Sequence, residues 1–118
     1  FHRVKNLADL ESNIKASSGK LVILDFYADW CVACKEFEQF TFSDPRVRKS
    51  LANVVLLQAD VTQNSSDDSA LLKRFGLFGP PGIIFFDHAG QEVTQLNVIG
   101  YQDADKFLTS LNKLNLAN

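Results

Sequence analysis

The chain has 118 residues, 46% of them hydrophobic and 10 of them Phe, enough for one domain to bury roughly two-thirds of its unfolded surface. Its 12 Lys and Arg against 14 Asp and Glu leave a net charge of −2, which gives no electrostatic footing for nucleic acid or an anionic membrane. No apolar run approaches the roughly 20 residues that span a bilayer, and none reads as a signal-peptide core.

Phe1 to Val4 reads as a short edge strand, and Leu7, Ala8, Leu10 and Ile14 at helical spacing make Asn6 to Ala16 an amphipathic helix. Ser17-Ser18-Gly19-Lys20 ends it. From Leu21 an apolar, β-branched run reads as a buried strand; after Trp30 the period changes, and Ala33, Phe37 and Phe40 fall on one face of a helix. Phe42-Ser43-Asp44-Pro45 breaks that helix, and Ser43 or Asp44 caps a second one through Val47 and Leu51.

Val54 to Val61 is the next strand, Thr62 to Ser69 a polar loop, and Ala70, Leu71, Leu72 and Phe75 lie on a helix that Gly76 stops. After Leu77-Phe78-Gly79-Pro80-Pro81-Gly82 comes a strand from Ile83 to Phe86. A turn at Asp87-His88-Ala89-Gly90 leads into a partner strand near Val93 to Ile99. Gly100 opens onto a last helix with Phe107, Leu108, Leu111 and Leu114 inward. With no repeat and no internal boundary, residues 1–118 read as a single domain. The βαβαβαββα order predicts an α/β fold: a central mixed sheet, parallel first and hairpin last, flanked by helices.

The two cysteines of the chain, Cys31 and Cys34, sit together at the junction of the central strand and its helix. Two thiols at that spacing on a helix start can face one way and close a small disulfide, which forms and opens by thiolate attack through a mixed disulfide. Cys31, at the helix tip, is expected to be the exposed attacker and Cys34, one turn in, the resolving thiol. The competing readings are a zinc half-site or two unrelated buried thiols. A structural zinc needs four ligands, and only His2 and His88 could join the pair, each from a peripheral segment.

Two carboxylates bear on the pair. Asp25 lies in a strand whose neighbours are all apolar, where an unpaired charge is costly; its plainer reading is a structural, hydrogen-bonded acid. Glu38 projects about 20° from Cys31 and about 40° from Cys34 in helical azimuth, whereas Glu36 and Gln39 project toward water; its plainer reading is a solvated helix residue. In the functional reading, the helix N-terminus favours the Cys31 thiolate and the two acids oppose it. Asp25 then also takes the Cys34 proton during resolution. Pro80-Pro81 before a strand marks a fixed turn, and the upstream cysteine pair favours a cis peptide at Pro81.

These residues resemble the thioredoxin superfamily. The run Tyr27-Ala28-Asp29-Trp30-Cys31-Val32-Ala33-Cys34-Lys35-Glu36-Phe37-Glu38 is similar to the C-terminal, periplasmic domains of the DsbD family of membrane reductases. Thr41-Phe42-Ser43-Asp44-Pro45 and Leu57-Gln58-Ala59-Asp60-Val61-Thr62 match the same family, so the likeness covers nearly the whole chain. The resemblance implies a thioredoxin-like fold and an electron relay. A membrane-embedded domain of the same bacterial inner-membrane protein would supply electrons, and an N-terminal periplasmic domain would receive them, for disulfide reduction and cytochrome c maturation.

It further implies Cys31 as nucleophile, Cys34 as resolving thiol, Asp25 and Glu38 as the acid pair, Pro81 as the cis-proline and Gly100 as the other wall of a partner groove. An excised domain would account for a chain that begins at Phe1 and holds no Met. Val32-Ala33 stands where ordinary thioredoxins carry Gly-Pro, and Pro80 has no N–H to offer a partner strand. Docking is therefore expected to rest on the Pro80 carbonyl and on apolar contact by Trp30, Val32, Phe78 and Tyr101, with the core as the competing reading for Phe78. The expected domain is monomeric, without a metal or small-molecule cofactor and without nucleic acid. Its rivals are a stand-alone periplasmic thioredoxin-like reductase with broader clients, a disulfide isomerase, and a binding module that has kept the fold but not the turnover.

Overall fold

The alternation of side chains along two central strands builds both layers of the molecule. The computed structural model describes residues 1–116. In chain order they form β1 (His2–Arg3), α1 (Leu7–Ala16), β2 (Val22–Tyr27), α2 (Val32–Glu36), a π-helical turn (Phe37–Thr41) and α3 (Pro45–Ser50). Next come β3 (Val55–Asp60), α4 (Ser66–Arg74), β4 (Gly82–Phe86), a 3₁₀ turn (Thr94–Leu96), β5 (Val98–Ile99) and α5 (Ala104–Leu116). The sheet runs β1-β3-β2-β4-β5; β1 and β2 pair parallel with β3, and β4 pairs antiparallel with β2 and β5.

On β2 and β4, Val22, Leu24, Phe26, Ile84 and Phe86 enter a core with Leu10 from α1, Leu71 from α4 and Phe75 just after it. Their neighbours Ile23, Ile83 and Phe85 enter a second core with Phe37, Val47, Phe107 and Leu111 from the opposite helical layer. Asp25 takes the next position in the Ile23 row, under the helix after the cysteines, so an acid stands where the pattern of a doubly covered strand calls for an aliphatic side chain.

Local chemistry fixes the helix starts. The Asn6 side chain accepts from Asp9 N at α1, and the Asp44 side chain accepts from Arg46 N at α3. Ser65 and Asp68 form a reciprocal capping box at α4. That box starts α4 at Ser66, earlier than its first apolar residues, and shortens the expected 62–69 loop.

Two expectations need correction. The helix after the cysteines does not keep one period: Phe42 N donates to Phe37 O at 2.7 Å, an i→i+5 bond. The extra residue in that turn rotates the rest of the helix, so Phe37 is buried but Phe40 is 55% exposed and Thr41 is buried in its place. The Val93–Ile99 strand is reduced to Val98–Ile99: a 3₁₀ turn occupies Thr94–Leu96, and ahead of it Glu92 forms an isolated bridge with Phe86. Phe78, expected at a docking face with the core as the competing reading, stands fully exposed. Among the described residues, no helix is long and apolar enough to cross a membrane.

A candidate redox site at one end of the sheet

Sheet register gathers the candidate residues. The C-terminal end of β2 lies beside the start of β4 (Phe26 opposite Gly82), which in turn lies beside the end of β5 (Gly82 opposite Ile99). Cys31 comes after β2, Pro81 precedes β4 and Gly100 comes after β5, so distant stretches of sequence meet at one edge. The Pro80–Pro81 peptide is cis. The Pro81 carbonyl accepts from Gly100 N at 3.4 Å, and Gly100 holds φ +90°, a conformation that favours glycine. A Cβ on Gly82 would lie 2.6 Å from Leu77 Cδ1, so any side chain there would require Leu77 to shift.

Cys31 and Cys34 are joined in a disulfide, their Cα atoms 5.3 Å apart. Cys31 is the N-cap of α2, its Sγ accepting from Cys34 N at 3.1 Å; Cys34 Sγ sits 3.7 Å from Phe26 O on β2. The expected contrast in exposure is absent from this oxidised state: Cys31 is 6% exposed and Cys34 4%. In the disulfide the two sulfurs face each other, with Cys34 Sγ against the end of β2. The difference that remains is positional, one sulfur capping the helix and the other one turn inside it.

Asp25 is 4% exposed. Burial pushes its carboxyl up to about 7; the Gln58 amide hydrogen bond and the chain's amino terminus pull it down, and the charge of Glu38 pushes it further up. Gln58 Nε2 donates to Asp25 Oδ2 at 3.1 Å. Glu38, by contrast, is exposed, and Lys35 Nζ comes within 4.0 Å of its Oε1. Its influence on Asp25 is therefore a through-space charge, open to screening by salt. Glu36 is half-buried rather than turned to water, while Gln39 is exposed as expected.

Around the pair, Trp30, Val32, Phe78 and Tyr101 are all exposed, and so is Ile99, which sequence reasoning did not single out. Pro80, Pro81 and Gly100 are half-buried. Trp30 is not loose: its Nε1 donates to Thr62 O at 3.1 Å, and Asp29 N donates to Thr62 Oγ1 at 2.9 Å. Lys35 Nζ donates to the Tyr27 hydroxyl, which donates to Asp29 Oδ1 at 3.0 Å. That bond to Tyr27 raises the Lys35 pKa above its ordinary value, with smaller support from the charges of Glu38 and Asp29. Thr41 Oγ1, turned inward by the π-helical turn, donates to Gln102 O at 2.7 Å and lies 3.3 Å from the Tyr101 hydroxyl, tying the helix to the wall beyond Gly100.

Gln58, Thr62, Thr41 and Ile99 were all missed from sequence. Only Gln58 carried a signal, a polar side chain inside an apolar strand, and its use depends on the register that sets it opposite Asp25. Among the described residues, no group of three or more His, Cys, Asp or Glu could hold a metal ion.

Residues 9–115 match the model of the Thioredoxin-like domain family. The chain is 52% identical over 114 residues to the thiol:disulfide interchange protein DsbD of Actinobacillus pleuropneumoniae serotype 5b (strain L20), covering 97% of this chain and 20% of that protein. The oxidised C-terminal domain of Neisseria meningitidis DsbD superposes with a TM-score of 0.79 at 35% identity, over 95% of this chain and 98% of that domain. Fasciola hepatica thioredoxin, 22% identical with a TM-score of 0.73 over 97% of this chain and 99% of its own, shares the fold. The chain spans about a fifth of the length of the full-length DsbD relatives it matches.

Proposed function

The chain belongs to the thioredoxin-like domain family and, within it, to the DsbD C-terminal domains, and from that membership we propose that it is a protein dithiol–disulfide oxidoreductase serving as an electron relay. The observation that carries the reading is the disulfide between Cys31, the N-cap of α2, and Cys34, one turn deeper against the end of β2. Electrons enter from a membrane-embedded domain of the same longer protein and leave to its N-terminal periplasmic domain. The relay needs no bound cofactor, because the electrons travel on the sulfurs.

The arrangement of the groups supports the following exchange. In the reduced domain the Cys31 thiolate, favoured by the helix N-terminus, attacks one sulfur of the partner disulfide. A Cys31–partner disulfide forms and the partner's other sulfur leaves as a thiolate. Cys34 then loses its proton to Asp25, one residue from the Phe26 carbonyl that its sulfur faces, and attacks Cys31 Sγ. The Cys31–Cys34 bond closes and the second partner thiolate departs; two electrons have passed to the partner, whose thiolates take up two protons. A carboxyl that titrates near 7 is suited to accept and return that proton at neutral pH.

Before a partner docks, the negative charges of Asp25 and Glu38 oppose a thiolate at Cys31 and keep the pair quiet. Docking falls to the exposed Trp30, Val32, Phe78 and Tyr101 around the Pro81–Gly100 contact, with the Pro80 carbonyl offered to a partner strand. The test is selectivity. The reduced domain is expected to reduce the N-terminal domain of its own protein at least ~100-fold faster than insulin, a span of about 3 kcal/mol in transition-state stabilisation. Equal rates would favour a stand-alone reductase with broad clients.

A further inference from the structure

Register places Arg3 beside Gln58: β1 pairs with β3 so that Arg3 stands opposite Gln58, and Val4 N donates to Gln58 O at 2.9 Å. The guanidinium spans two acceptors, Nε donating to Gln58 Oε1 at 2.9 Å and Nη1 to Asp60 Oδ2 at 2.6 Å, while its carbon centre lies 5.6 Å from the Tyr27 ring centroid. Asp60 is itself held, accepting from Thr62 N at 3.0 Å. Burial pushes the Asp60 carboxyl up, but bonds from Thr62 and the charge and bond of Arg3 outweigh it and keep the group below its ordinary value, hence ionised. An exposed arginine at the sheet edge is thereby fixed in one pose.

A glutamine amide has an accepting end and a donating end, and arginine can only donate. With Arg3 on Oε1, Gln58 is left to present Nε2 to Asp25, at 3.1 Å from Oδ2. Released from Arg3, the amide is free to turn its oxygen toward Asp25, an arrangement that favours the protonated acid and disfavours the carboxylate. We propose that Arg3 is a positioning residue for Asp25: by occupying Gln58 Oε1 it commits the amide to donate to the carboxyl, and so sets how readily the acid beside the cysteine pair gives up its proton. This deepens the proposed function and rests on the proton-accepting role given there to Asp25.

Besides Gln58, the charged groups acting on Asp25 are Glu38 and the chain's amino terminus. From β4 the residue opposite is Ile83, which is apolar. From the π-helical turn Glu38 raises the carboxyl, and the amino terminus of Phe1 lowers it. The cysteines do not titrate while joined in the disulfide.

The test tracks the Asp25 carboxyl by carbon NMR across pH in the oxidised domain, for the parent, Arg3→Met, Arg3→Lys and Gln58→Leu, and for Arg3→Met combined with Gln58→Leu. Loss of one oriented hydrogen bond corresponds to an upward shift of about half to one pH unit for Arg3→Met. Arg3→Lys keeps the charge and a donor for Gln58 Oε1 but not the fork that joins Gln58 to Asp60, and is expected to shift it less than Arg3→Met. In the Gln58→Leu background, Arg3→Met should add nothing. An Arg3→Met domain that titrates like the parent, or an Arg3→Met shift that survives without Gln58, would overturn the proposal. If Gln58→Leu does not fold, Gln58→Met serves as the same background. The titration involves no partner, so failure of disulfide exchange and failure of this proposal are read separately.

Discussion

Replacing Asp25 with Asn should make the protein more stable, and by an amount that depends on pH. The carboxyl is 4% exposed and titrates near 7 when folded, against 3.8 unperturbed, so folding raises its proton affinity by about three pH units. Between about pH 4 and pH 7 the folded chain holds a proton that the unfolded chain has lost, so stability falls as pH rises through that window, at up to ~1.4 kcal/mol per unit. Above pH 7 the full cost, about 4 kcal/mol, is in force. Asparagine cannot ionise and escapes it, giving back about 1 kcal/mol for an altered hydrogen bond to Gln58. Urea unfolding of the oxidised domain should therefore show Asp25→Asn equal to the parent within ~1 kcal/mol near pH 3.5 and roughly 3 kcal/mol more stable near pH 8. The same variant should resolve mixed disulfides more slowly, since stability would be gained by removing the proton acceptor. A difference between variant and parent that stays flat from pH 3.5 to pH 8 would refute the reasoning.

Other substitutions probe other joints. Phe37→Ala, deep in the second core, should cost about 3–5 kcal/mol, whereas Phe40→Ala, exposed after the π-helical turn, should cost less than ~1 kcal/mol; comparable losses in thermal unfolding would mean a regular helix there. Gly82→Ala forces a methyl against Leu77 and should cost about 1–3 kcal/mol, with part of the loss recovered by adding Leu77→Ala. Glu38→Gln removes a charge that raises Asp25, so the Asp25 pKa should fall, and the fall should shrink as salt is added; a rise in low salt would count against that pairing.

Much of the site was legible because it rests on local signals. The change from strand to helix period at Trp30 located the cysteines, and an acid within the all-apolar run from Leu21 marked Asp25 as buried before any contact was known. The features that sequence did not disclose depend on long-range register or on a single inserted residue. Gln58 meets Asp25, and Arg3 meets Gln58, only through the alignment of three strands. Phe40 was assigned inward because periodicity assumes 3.6 residues per turn, and the i→i+5 bond at Phe37 breaks that count. Phe78 had the core as its competing reading, since an aromatic side chain by itself gives no hint that its loop holds it outward. Cys31 was expected to be exposed from its place at the helix tip, but in the disulfide it is 6% exposed, nearly as buried as Cys34.

The central claim is that Cys31 makes the bond to the partner and Cys34 breaks it. Reduced Cys34→Ser and Cys31→Ser variants, each mixed with the oxidised N-terminal domain of the same protein, test this by mass spectrometry of the covalent products. The account predicts a lasting mixed disulfide through Cys31 in the Cys34→Ser variant and little adduct in the Cys31→Ser variant. A lasting adduct through Cys34, or none through Cys31, would contradict it.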